Sequence, residues 1–124
     1  MFLLDTNVVS ELRQGKPRQS PAVRAWAASM PAQRLYLSAI SVMELEMGVQ
    51  RMERKDAQQG AALRTWLAAI LNQFDGRVLP FDTEAALLCA AMHVPDTRSF
   101  RDAMIAATAR QHRLTVVTRN VRDF

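Results

Sequence analysis

The chain is short of cysteine, histidine, lysine and long apolar runs, and each shortage excludes something. Cys89 is the one cysteine in 124 residues. An internal disulfide is therefore excluded, and a reducing, cytoplasmic setting is expected. No basic start leads into a long apolar stretch, so the N-terminus does not read as a secretory signal. No run approaches the roughly 18 apolar residues of a membrane span, so no membrane association is expected. His93 and His112 stand at no spacing that suggests a metal pair, which argues against zinc. Only Lys16 and Lys55 are lysine, and the other fourteen of the sixteen basic residues are arginine, with a net charge of +4. Guanidinium grips phosphate in a bidentate way, so the excess suits a phosphate-rich partner. It suits an acidic protein partner or plain solubility as well. No repeat, low-complexity tract or linker divides the chain, and its length favours one domain over residues 1–124.

What is present is a globular composition, 49% hydrophobic and 23% charged. Residues 2–4 read as a short buried strand, followed by a helix to about Arg13 that Thr6 or Asn7 would cap. "RQGKPRQSP" is a loop broken by Gly15, Pro17 and Pro21. Ser20 before Pro21 is an N-cap with proline at the first helical position. "RLYLSAI" alternates Leu35, Leu37 and Ala39 as a second strand. Helices are expected over 41–55 and from about Ala57 to Phe74, with Gly76 as the stop. "RVLPF" is a third strand with Pro80 at its end. Helices over 83–94 and 99–113 frame the next turn, and the β-branched "LTVVT" is a fourth strand. Strands alternating with long helical stretches specify an α/β domain with a parallel sheet.

In such sheets, sites form beyond the carboxyl ends of the strands. Asp5 follows the first strand directly. Glu44 falls in the first turn of the helix after the second strand. Asp102 opens the helix before the fourth strand, and Asp123, with Asn120, lies just past that strand. Converging carboxylates repel and call for a cation. An oxygen-only set suits Mg²⁺ or Mn²⁺. Each acid has a plainer reading too. Ser41-x-x-Glu44 is a capping box and Ser99-x-x-Asp102 its aspartate variant. Asp123 alone reads as a surface residue. Helical phase puts Asp102 on one face with Ile105, Ala106 and Ala109, a small apolar face that should pack inward. Gly48, on the side of Glu44, invites the expectation of a close approach by backbone or substrate.

The stretches "LLDTNVVSEL", "LYLSAISVMELEMGV", "RVLPFD", "DAMIAATARQHRLTVVTRN" and "RDF", in this order, resemble a PIN domain, and more closely a VapC-type toxin ribonuclease of a toxin–antitoxin pair. The resemblance implies a single domain with a parallel sheet of four or five strands flanked by helices. It implies a metal-dependent endoribonuclease, with Asp5, Glu44 and Asp102 as catalytic acids and metal ligands and Asp123 as the less fixed fourth acid. Thr6, Asn7, Thr118 and Asn120 would be the small polar residues supporting substrate. It implies Mg²⁺ or Mn²⁺ as cofactor, RNA as substrate, a homodimer, and a cognate antitoxin whose tail covers the groove. Relatives continue past "RDF" into an edge strand, whereas this chain stops at Phe124.

The chemistry so implied is hydrolysis by metal-activated water. Arg13, Arg119 and Arg122 are candidates to hold RNA backbone, or else solvated surface charges. Two other readings stand beside it. One is a phosphoryl-transfer hydrolase with Asp5 as nucleophile. That chemistry usually places a second acid two residues on, where this chain has Asn7. The other is a non-catalytic RNA- or protein-binding module on the same fold. Trp26 and Trp66 are expected in core or interface, the seven methionines in adaptable packing or a partner groove, and Cys89 buried and inert.

Overall fold

The computed structural model describes residues 1–13 and 20–119. Four short strands, β1 (Phe2–Leu4), β2 (Leu35–Ser38), β3 (Val78–Leu79) and β4 (Thr115–Val117), form one parallel sheet in the order β3-β2-β1-β4. The connections are helical: α1 (Thr6–Glu11), α2 (Pro21–Ser29), α3 (Ala39–Lys55), α4 (Ala57–Gln73), α5 (Thr83–Met92) and α6 (Phe100–His112). The α/β architecture expected from the alternation is present. Pro80 lies just outside β3, as its missing N–H requires.

Alternation along each strand sorts the core into two faces. Leu4, Leu35 and Leu37 pack with Val8, Val9, Leu45, Val49, Leu67, Ile70 and Phe74. Leu3 faces the other way, against Ile105 and Ala109 of α6, with Tyr36, Leu79 and Val116 beside it. Ile105 and Ala109 thus take the inward face that the spacing from Asp102 predicts. Cys89 is buried with Ala103 and Ala107, and burial pushes its thiol pKa up, as an inert core cysteine requires. Trp26 and Trp66 are partly buried against the larger cluster.

The sequence reading needs correction at three helix starts. β2 ends at Ser38 and α3 starts at Ala39, because the Ser38 Oγ accepts from the Ile40 backbone N at 2.9 Å. Ser41 is therefore inside the helix and caps nothing, and Glu44 falls one turn later than expected. At α1, neither Thr6 nor Asn7 is the cap: Asp5 is, accepting from the Thr6 backbone N at 2.8 Å. Ser99 precedes α6 as expected but makes no side-chain capping bond. The α2 start is as read, with Ser20 accepting from Val23 N.

Asp56 ends α3 and begins α4, its Oδ1 accepting from Gln58 N and Gln59 N at 3.0 and 3.1 Å. The two helices then pack closely, and Arg64 bridges Glu46 and Glu53 across them. Among the described residues no backbone comes close to Gly48: a Cβ there would meet nothing within 4 Å. Gly48→Ala should therefore only relieve the helix-propensity cost, about 1 kcal/mol. The expected result is a melting temperature about 4 °C higher, read by thermal unfolding. An unchanged or lower value would mean that the glycine is needed.

Candidate active site at the carboxyl edge of the sheet

In the strand order, β2 and β3 lie to one side of β1 and β4 lies to the other. The order reverses at β1: the chain passes from β1 to β2 on one side, while β4, reached last, pairs with β1 on the other, and such a reversal marks a crevice beyond the carboxyl ends of these strands. Asp5 leaves β1 directly into it. Its backbone N donates to Val117 O at 2.9 Å, extending the β1–β4 pairing to the strand end.

Asp5 is 4% exposed, and both of its oxygens are engaged. Oδ1 accepts from Thr6 N, and Oδ2 accepts from the Thr118 hydroxyl at 2.8 Å. One oxygen thus caps α1 and the other faces across to the end of β4. A carboxylate has about four lone-pair sites, so these bonds leave capacity for further partners.

Thr6 connects Asp5 to the second acid. Its Oγ1 lies 2.8 Å from Glu44 Oε1 and 2.9 Å from Ser41 Oγ. Ionised Glu44 can only accept, so the single Thr6 proton goes to Glu44 and fully buried Ser41 must donate to Thr6. The helical shift that removed Ser41 as a cap is what turns it into this donor. Glu44, second turn of α3, is partly exposed, and its Oε2 lies 3.5 Å from Arg101 Nη1. Arg101 and half-buried Asp102 occupy the first turn of α6. That helix feeds β4, so it runs against the strand direction and brings its N-terminus to the same edge.

The structure thus gathers Asp5, Glu44, Thr6 and Thr118 into one hydrogen-bonded set and puts Asp102 at the same edge. Asn7 is exposed on α1. Asn120, Arg122 and Asp123 lie outside the described residues. Among the described residues, no three or more histidine, cysteine, aspartate or glutamate side chains are grouped so as to hold a metal ion. The donors that do meet are carboxylate and hydroxyl oxygens, the chemistry a hard divalent cation takes.

The PIN domain family model matches residues 2–124, from the first strand to the last residue. This chain belongs to the PIN domain family. Toxin FitB of Neisseria gonorrhoeae is 40% identical over 131 residues, covering 100% of this chain and 91% of that protein. The solved FitAcB structure from the same organism superposes with a TM-score of 0.88 at 40% identity, over 100% of this chain and 91% of that chain. VapC ribonuclease Y4jK of Sinorhizobium fredii is 38% identical over 132 residues, covering 100% of this chain and 90% of that protein.

Within this PIN domain, sequence reasoning missed two parts of the edge. Ser41 was read as a cap. Arg101 carries no signal beyond standing next to Asp102, and only the packing of α6 against α3 brings it to Glu44. A separate, mostly apolar groove of about 1070 Å³ is lined by residues including Leu12, Leu63, Trp66 and Phe74, together with Arg13, Arg24 and Arg77. None of the acids named above lines it. No helix among the described residues is long and apolar enough to cross a membrane.

Proposed function

We propose that this PIN domain is an endoribonuclease toxin, hydrolysing RNA phosphodiester bonds and silenced by a cognate antitoxin. The observation that carries the reading is the Asp5–Thr6–Glu44 set at the carboxyl edge, with Thr118 on the other oxygen of Asp5. Toxin FitB and a VapC ribonuclease, similar along the whole chain, support it.

Asp5, Glu44 and Asp102 are the residues that would hold a Mg²⁺ or Mn²⁺ ion, with Asp123 as the fourth acid. When bound, such an ion polarises a phosphate oxygen and lowers the pKa of a water. The chain's own part is orientation. Thr6 N and Thr118 hold Asp5 in one rotamer. Ser41 fixes the direction of the Thr6 hydroxyl, which in turn holds Glu44. The site is thus organised before substrate arrives, which is what electrostatic catalysis requires. Water as nucleophile does not use the RNA 2′-hydroxyl, so no cyclic phosphate forms; with the 3′-oxygen as leaving group, cleavage leaves a 5′-phosphate and a 3′-hydroxyl.

The antitoxin reading has two supports. Clustered carboxylates attract a basic side chain from a partner, which would compete with the metal. The apolar groove beside α2 and α4 suits a helix of that partner. The resemblance to such toxins adds a cytoplasmic setting and a homodimer to this reading.

The deciding experiment is RNA cleavage by purified protein with Mg²⁺, Mn²⁺ or EDTA, with mapping of product ends. Cleavage is expected with either ion, lost in EDTA and restored by adding the ion back, with 5′-phosphate ends. Activity that survives EDTA, needs Zn²⁺ or leaves cyclic phosphate ends would count against the reading.

A further inference from the structure

We propose that Glu11 is a positioning residue of this site, one that sets where the chain leaving β4 lies relative to Asp5. The proposal rests on the ribonuclease reading above, which gives Glu11 no part.

Glu11 is the last residue of α1 and is 3% exposed. A carboxylate buried so deeply is costly unless donors surround it, and an apolar residue of similar size would fill the place at less cost. Here two donors from distant parts of the chain converge on it. Oε2 accepts from the Ser20 backbone N at 2.9 Å, at the start of α2. Oε1 accepts from the Arg119 guanidinium, two residues beyond β4.

Arg119 is adjacent to Thr118, whose hydroxyl donates to Asp5 Oδ2. Asp5 in turn caps the other end of α1 and donates its backbone N to Val117 O. Both ends of this six-residue helix therefore grip the same stretch of chain. Asp5 holds residues 117 and 118, and Glu11 holds residue 119. The clamp is short and made of charged and main-chain groups, so it fixes distance as well as contact. It also answers what Arg119 does. Its charge is matched by Glu11 within the protein, so it acts on the placement of Thr118 and not as a free hold on RNA backbone.

The test compares Glu11→Gln, Arg119→Gln, Arg119→Lys and the Glu11→Gln/Arg119→Gln double variant with the unaltered protein. Steady-state cleavage of a short RNA, thermal unfolding and amide hydrogen exchange across residues 115–119 are measured for each. Loss of an indirect orienting contact typically costs 10- to 100-fold, so kcat should fall by about tenfold or more, with KM within about twofold. Arg119→Lys should recover much of the loss. The double variant should be no worse than either single one, because the pair acts as a unit. Exchange in the 115–119 segment should quicken at temperatures well below unfolding.

A lower melting temperature with unchanged kcat and unchanged exchange in that segment would overturn the proposal and leave a purely structural ion pair. A rise in KM for Arg119→Gln, with a salt slope of RNA binding smaller by about 1, would overturn it in favour of a direct phosphate contact. If Glu11→Gln does not fold, the two Arg119 variants decide by the same criteria. If the unaltered protein cleaves no RNA, the ribonuclease reading fails by itself, and the exchange measurement still decides whether Glu11 holds this segment.

Discussion

Asp5→Asn is expected to reduce RNA cleavage about a thousandfold or more while leaving the folded protein at least as stable. The two effects separate because Asp5 has two duties. Its Oδ1 caps α1 through Thr6 N, and asparagine caps a helix about as well as aspartate. Its Oδ2 accepts from Thr118. An amide nitrogen there can donate to the threonine oxygen instead, since a hydroxyl both donates and accepts. What the substitution removes is the negative charge. Electrostatic stabilisation of a phosphoryl transition state is worth several kcal/mol, and each 1.36 kcal/mol is tenfold in rate. Relief of repulsion with Glu44 should hold or raise the melting temperature of the metal-free protein. Asp5→Ala is the control: it loses the cap as well and should cost about 1 kcal/mol of stability. If Asp5→Asn unfolds while activity per folded molecule stays normal, Asp5 is a cap and nothing more.

Gly60→Ala should lower the melting temperature by several degrees, up to about 8 °C once the gain of about 1 kcal/mol in helix propensity is set against the overpacking. A Cβ at Gly60 would stand 2.5 Å from Glu53 Cα and 2.8 Å from Glu53 N. Main-chain atoms of α3 cannot step aside singly, so the whole helix must move away from α4. Overpacking of this kind costs about 1 to 3 kcal/mol, and each kcal/mol is about 4 °C in a domain of this size. Arg64, which ties α4 to Glu46 and Glu53 on α3, would be pulled off at least one partner. Thermal unfolding beside Gly48→Ala gives the cleanest comparison. The two glycines lie on the same helical hairpin, and their alanine variants should move stability in opposite directions. Equal shifts would show that helix propensity and not the close crossing governs both.

Those two glycines mark how far sequence reasoning reaches. Both look alike as residues inside a helix. Gly48 neighbours Glu44 and so invites the expectation of a close approach, yet the backbone that comes close does so at Gly60. Which side of a helix meets another backbone depends on the packing of α3 on α4, and no local pattern encodes that.

The α/β architecture was legible because burial on a two-sided parallel sheet forces apolar alternation in strands and helical periodicity between them. The arrival of Asp5, Glu44 and Asp102 at one edge was legible for the same reason, since every strand points the same way. Asp5 as the α1 cap was not legible, because Thr6 and Asn7 offer cap oxygens of their own; the structure shows Asp5 capping α1 with one oxygen while the other faces Thr118. The sequence by itself thus determined the sheet, its direction and the edge where acids gather. Only the tertiary structure decided the rest: that Ser38 and not Ser41 caps α3, that Ser41 then aims Thr6 at Glu44, and that Glu11 clamps Arg119. The reason is that strand direction follows from local pattern and chain connectivity. A hydrogen bond between residues 35 or 108 positions apart follows only from the final packing of the elements that carry them.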